Sequence, residues 1–126
     1  MLKKSKLAAG PNGKLIVGIL TDSAIMEKKP APFLKFEERM EIASSIKYID
    51  ELVSQERYSP FENIRKIKPD ILMESSNHDK DEILRAQELM SSLGGKIIVV
   101  PYYESQSSTK IKNEIIRRNL KCFKKD

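Results

Sequence analysis

At 126 residues, with 40% hydrophobic and 33% charged side chains, the chain has the size and balance of one globular domain spanning residues 1–126, with an adequate core and no room for a second domain. The single Cys122 excludes an intrachain disulfide and stands among lysines without metal-ligand spacing, so it reads as structurally incidental and a reducing, cytoplasmic setting is expected, since residues 1–10 build no signal-peptide core and no apolar run reaches membrane length. The net charge of +5 gathers at the ends, with Lys3, Lys4, Lys6 and Lys14 on one side and Lys110, Lys112, Arg117, Arg118, Lys121, Lys124 and Lys125 on the other, which suits either an anionic partner or a solvated basic surface.

The run KLIVGIL (14–20) is short, branched and apolar and ends in the polar TDS; it predicts a strand buried on both faces. FEERMEIASSIKYI (36–49) places Phe36, Met40, Ile42, Ile46 and Ile49 at mostly helical spacing, with Glu37 and Glu38 where the dipole prefers acids, and predicts a helix. ELVSQ (51–55) reads as a short strand. SPFENIRKI (59–67) follows as a short helix with Ser59 as cap and Pro60 in the first position. KPDILME (68–74) is the next strand, and a helix opened by Asp79, Asp81 and Glu82 runs through Met90 and Leu93 to the stop at Gly94 and Gly95. KIIVVPYY (96–103) is the last strand, before a final helix from about Ser108 to about Asn119.

Four short apolar strands alternating with helices imply crossover connections and a mostly parallel sheet covered on both faces, an α/β fold whose sites lie beyond the carboxyl ends of its strands. That rule collects TDS (21–23), ESSNHD (74–79) and YYESQSST (102–109) on one rim. The last segment is unusual. Helix starts favour acids, yet this one offers Ser107, Ser108 and Thr109 with Lys110 and Lys112 close behind, an arrangement that suits a bound phosphate. The alternative is a single capping serine with both lysines in water. A proline-stiffened loop, EKKPAPF (27–33), carries Lys28 and Lys29 from the rim end of the first strand and could face the same anion.

The succession LIVGILTD, KKPAPFLKFEERMEI, IKYIDELVSQ, IRKIKPDILMESSNHD and SSTKIKNEI resembles the cytidylyltransferase family that includes the glycerol-3-phosphate and phosphonate enzymes, over essentially the whole chain. The resemblance implies a Rossmann-like fold, a homodimer, and transfer of a cytidylyl group from CTP, with magnesium held mainly by its phosphates, to a phosphate- or phosphonate-bearing small molecule with release of pyrophosphate. By the same resemblance, Lys28 or Lys29 falls where a lysine steadies the triphosphate, as the catalytic or a nucleotide-binding group. Arg39 matches the arginine of the family's ER or HR helix start. Ser107, Ser108 and Thr109 match its phosphate-holding hydroxyl run, while Asn77 and His78 stand where a base could be met.

There are departures from the pattern. The family's leading strand and its H-x-G-H turn are missing, since the chain opens in what reads as the following helix and its only histidine is His78. Loss of both turn histidines removes several kcal/mol of transition-state stabilisation, about what the loss of strong oxyanion donors costs. SSNH (75–78) replaces GDDW, and Tyr102 stands at a phosphate-binding arginine. A sheet without its central strand must leave edges to pair or repack. The readings left open are an active or impaired nucleotidyltransferase, a non-catalytic nucleotide- or nucleic-acid-binding module built on the basic C-terminal helix, and a structural partner of a complete paralogue.

Overall fold

Branched apolar runs and capping residues set the elements in the computed structural model, which describes residues 1–105 and 107–123, without the side chains of 122 and 123. Helix α1 (Leu2–Ala9) closes at Gly10, whose φ of 77° is one that glycine adopts without strain. Strand β1 (Ile16–Leu20) leads into a five-residue helix α2 (Asp22–Met26), then α3 (Phe36–Ser44), β2 (Glu51–Gln55), α4 (Phe61–Ile67), β3 (Ile71–Ser75), α5 (Lys80–Ser92), β4 (Lys96–Val100) and α6 (Ser108–Phe123). The α/β, Rossmann-like class is as expected. Lys124 and Lys125, part of the basic tail, lie outside the described residues.

Several boundaries are corrected, each for a local reason. Helix α3 ends at Ser44 instead of 49, because Ser44 and Ser45 turn their hydroxyls onto the carbonyls of Glu41 and Ile42 and compete with the backbone. Ser59 does not cap α4: Pro60 takes that position with no side-chain bond, since Gln55 holds the preceding loop by donating to the carbonyls of Arg57 and Tyr58. Strand β4 stops at Val100 because Pro101 has no N–H to extend a ladder.

The expected single sheet is corrected too. All pairing is parallel, but it forms two separate two-stranded sheets, β1 with β2 and β3 with β4. Each of the four described strands therefore has one paired neighbour and one open edge. The halves are tied by α4, whose Asn63 donates to the carbonyl of Ser54 at 3.0 Å while the helix packs on α5. Asp50 anchors the other end, accepting from the Leu15 amide at 2.7 Å and from Lys6 of α1 at 2.5 Å; the Leu15 bond, then Lys6, holds its carboxyl below the ordinary range.

The core is thin. Its buried apolar members are Ala24, Ala43, Ile64, Ala86, Met90 and Val100. Surface area reaches 9631 Å², against about 6,800 Å² for a compact monomer of this mass. Helix α6 contributes much of the excess, with Ile111, Ile115, Ile116 and Leu120 each more than half exposed.

Candidate functional site

Polar side chains cluster where β1 and β3 end. Beyond Leu20, the Thr21 amide extends the ladder to the carbonyl of Gln55 at 3.0 Å, and its hydroxyl accepts from the Ala24 amide at 3.2 Å, which starts α2. That helix delivers Lys28 and Lys29 to the rim. Lys28 Nζ donates to Glu82 Oε1 at 2.7 Å and lies 4.8 Å from the centre of the Tyr58 ring. The bond to Glu82 is the first cause that raises the lysine above its ordinary value. Lys28 thus stays charged and joins the loop after β1 to the helix after β3. Lys29 is exposed beside it.

Arg39 sits on the same rim in a different role. Its Nη1 donates to the Leu20 carbonyl at 2.6 Å, Nη2 to Asp22 Oδ1 at 2.6 Å and Nε to the Leu34 carbonyl at 3.0 Å. Three of the five guanidinium donors are therefore engaged in fixing the end of β1. Arg39→Ala is expected to lower stability by about 1–3 kcal/mol, read as a fall in the urea midpoint at unchanged slope, because it strips two carbonyls and a carboxylate of a charged donor. Lysine cannot reproduce the fork and should restore only part of the loss.

On the β3 side, Asn77 is exposed and His78 half-exposed. His78 Nδ1 meets Glu74 Oε2 at 2.6 Å, and Glu74 is buried in the strand. Burial pushes the Glu74 carboxyl above its ordinary range, with His78 working the other way. A raised carboxyl favours the protonated folded state, so its contribution is fully present below the ordinary glutamate value and is lost as pH rises through the raised one. Glu74→Gln should then raise stability at neutral pH by about 1 kcal/mol, through relief of a buried charge, and the gain should vanish in acid below the ordinary value. Melting curves of both proteins across that range read the sign.

At the third position, Ser107 Oγ accepts from the Lys110 amide at 3.1 Å, so one hydroxyl of the trio caps α6. Ser108 and Thr109 lie exposed in its first turn. Lys110 Nζ donates to the carbonyl of Glu104, and an open hollow of about 440 Å³ lies alongside, lined by Ser105, Lys110, Ile111, Glu114, Ile115 and Arg118. Ser76 ties this rim to β3, since its amide donates to the carbonyl of Val100 and its hydroxyl accepts from the Tyr102 amide, both at 2.9 Å. No hydrogen bond among the described residues joins the start of α6 to Lys28 or His78. Sequence reasoning missed Glu82 and Tyr58 as members of the rim, and it placed Glu74 there within ESSNHD without giving it a role. Glu82 had been assigned to the helix dipole, and the burial of Glu74 left no mark in a segment that reads as polar.

Parallel strand pairs joined through helices, with a lysine-bearing polar rim beyond the strand ends, define a Rossmann-like α/β domain. A model of the cytidylyltransferase-like family matches residues 1–117. The chain belongs to that family, within the nucleotidyltransferases. It is 32% identical over 125 residues to the FAD synthase of Korarchaeum cryptofilum, covering 98% of this chain and 82% of the relative. The FAD synthase of Methanothermus fervidus is 31% identical over 82% of this chain and 72% of its own. The bifunctional protein HldE of Gluconobacter oxydans is 31% identical over 82% of this chain, which spans only 22% of that protein. Among solved structures, the lipopolysaccharide core biosynthesis protein from Thermoplasma volcanium GSS1 shares the fold, with a TM-score of 0.65 at 23% identity over 83% of each chain.

Proposed function

We propose that the rim binds a nucleoside triphosphate, with CTP as the favoured nucleotide, and serves nucleotidyl transfer to a phosphate- or phosphonate-bearing acceptor with release of pyrophosphate. The observation that carries this reading is Lys28, a charged ammonium held at the mouth between the β1 and β3 rims. A mobile point charge there can follow the phosphates as charge develops on them. Ser108 and Thr109, with Lys29, supply further donors, and Asn77 and the second nitrogen of His78 can meet the base. The described residues hold no cluster of three or more His, Cys, Asp or Glu suited to a metal, so magnesium would enter on the triphosphate itself.

ATP is the second reading, favoured by the two FAD synthase relatives, since FAD contains an adenine nucleotide. Residues 1–126 hold no H-x-G-H pair, so binding is expected to outlast turnover. A nucleic-acid role has less support, because Arg117 and Arg118 both pair with Glu114 on their own helix at 2.5 and 2.8 Å. Titration calorimetry with CTP and ATP, each with magnesium, tests the proposal. Saturable binding that prefers one nucleotide supports it, and heat-free titrations of a folded chain overturn it. Pyrophosphate release with glycerol 3-phosphate or a simple phosphonate then reads transfer, and sedimentation reads the proposed dimer.

A further inference from the structure

Of the chain's six arginines, four are paired with carboxylates: Arg39 with Asp22, Arg57 with Glu27, and Arg117 and Arg118 with Glu114. The other two share one place. Arg65 of α4 and Arg85 of α5 line a hollow of about 300 Å³ together with Phe61 and Leu89. On each helix the arginine and the apolar residue stand four positions apart, so they fall on one face. Both arginines are exposed, and among the described residues neither makes an ion pair or a side-chain hydrogen bond. Yet Glu62 stands three positions from Arg65, and Asp81 and Glu88 stand four and three from Arg85. Arg65 suits the dipole in the last turn of α4. Arg85, inside α5, has no such role. We propose that this hollow is a second anion site, separate from the polar rim, for a phosphate monoester that carries an aromatic body.

The lining selects the ligand. Two guanidiniums at one hollow repel each other until an anion lies between them, and each offers a planar fork of donors that fits phosphate or carboxylate oxygens. A phosphate monoester, with about −1.5 to −2 charge at neutral pH, balances the pair, whereas a single carboxylate balances only one. Phe61 and Leu89 are half-buried and leave apolar surface in the hollow. A flat apolar body covers that surface, since an aromatic ring can stack on Phe61 and lie against a guanidinium plane. The volume stands at the low end for small-molecule sites, which suits one ring with its phosphate. No described hydrogen bond or ion pair joins the four lining side chains to Lys28, Arg39 or His78, which bond instead to groups of the rim. The site therefore stands apart from the nucleotide reading.

Phenyl phosphate is the probe, titrated into the 126-residue chain while magnetic resonance follows the arginine side-chain and aromatic signals. Those of Arg65, Arg85 and Phe61 should move together along one saturable curve. Arg65→Gln with Arg85→Gln should weaken the affinity about tenfold or more, the loss expected for charge-assisted phosphate bonds. Both positions are exposed, and matched melting curves show that the fold is kept. Phe61→Leu should weaken phenyl phosphate a few-fold and leave inorganic phosphate unchanged. Benzoate, with one charge, should bind several-fold more weakly than phenyl phosphate. Lys28→Ala with Lys29→Ala should leave the movement of Arg65 and Arg85 as it was. No saturable movement, movement confined to the rim residues, unchanged affinity in the double glutamine variant, or benzoate binding as tightly as phenyl phosphate overturns the site. None of these readouts uses CTP or ATP, so this proposal and the nucleotide reading can fail separately.

Discussion

Replacing Met90 with alanine is expected to lower stability by about 2–5 kcal/mol and to leave much of the chain unfolded in mild conditions. Met90 is fully buried and is the largest such side chain described. It lies in the last turns of α5, where Gly95 lets the chain pass close: a β-carbon at Gly95 would stand 2.7 Å from the Met90 methyl and 2.9 Å from the carbonyls of Asp70 and Pro69. The Gly95 amide also donates to the Met90 carbonyl at 2.9 Å. The methionine therefore pins the end of α5 against the turn into β4, which itself lies against the residues that lead into β3. The other buried apolar residues are mostly alanines, which cannot collapse into the space it leaves. Urea denaturation reads the outcome, and Met90→Leu, nearly volume-conserving, should lose less than about 1.5 kcal/mol.

What the sequence revealed followed the physics of its patterns. ELVSQ stands at residues 51–55 as read, because a branched pair between polar ends has few alternatives in so short a segment. Helix α2 escaped notice, since five residues carry no period; the signal was Thr21 followed by Asp22, a cap and a first-turn acid. The hydroxyl-rich start of α6 was recognised as special, and one serine caps it, but the hydroxyl run could not show which of the three takes that role. Edges were the hardest to read. The missing leading strand signalled open edges, but counting strands could not show that the sheet would divide, so one sheet was expected where two stand. Long-range partners were equally hidden: a separation of 54 positions between Lys28 and Glu82 leaves no local trace of their bond.

That bond makes the second large prediction. Lys28→Ala with Lys29→Ala is expected to weaken triphosphate binding about ten- to a hundredfold, the range for removing charge-assisted phosphate contacts. In the structure Lys28 is held by a carboxylate, with side chains 50% and 27% exposed. Such an exposed pair is worth little, because solvent screens it. A triphosphate, with several negative charges, can draw the ammonium away from Glu82 at small cost. Glu82→Gln should then act in the opposite sense, tightening binding a few-fold by removing the competing acid from beside the phosphates. The opposed signs separate a role at the phosphates from simple damage to the rim, since loss of the Lys28–Glu82 link occurs in both variants. Calorimetry on proteins matched by melting curve gives the answer. Unchanged affinity in the double alanine variant, or weakening in Glu82→Gln, would remove Lys28 from the nucleotide site.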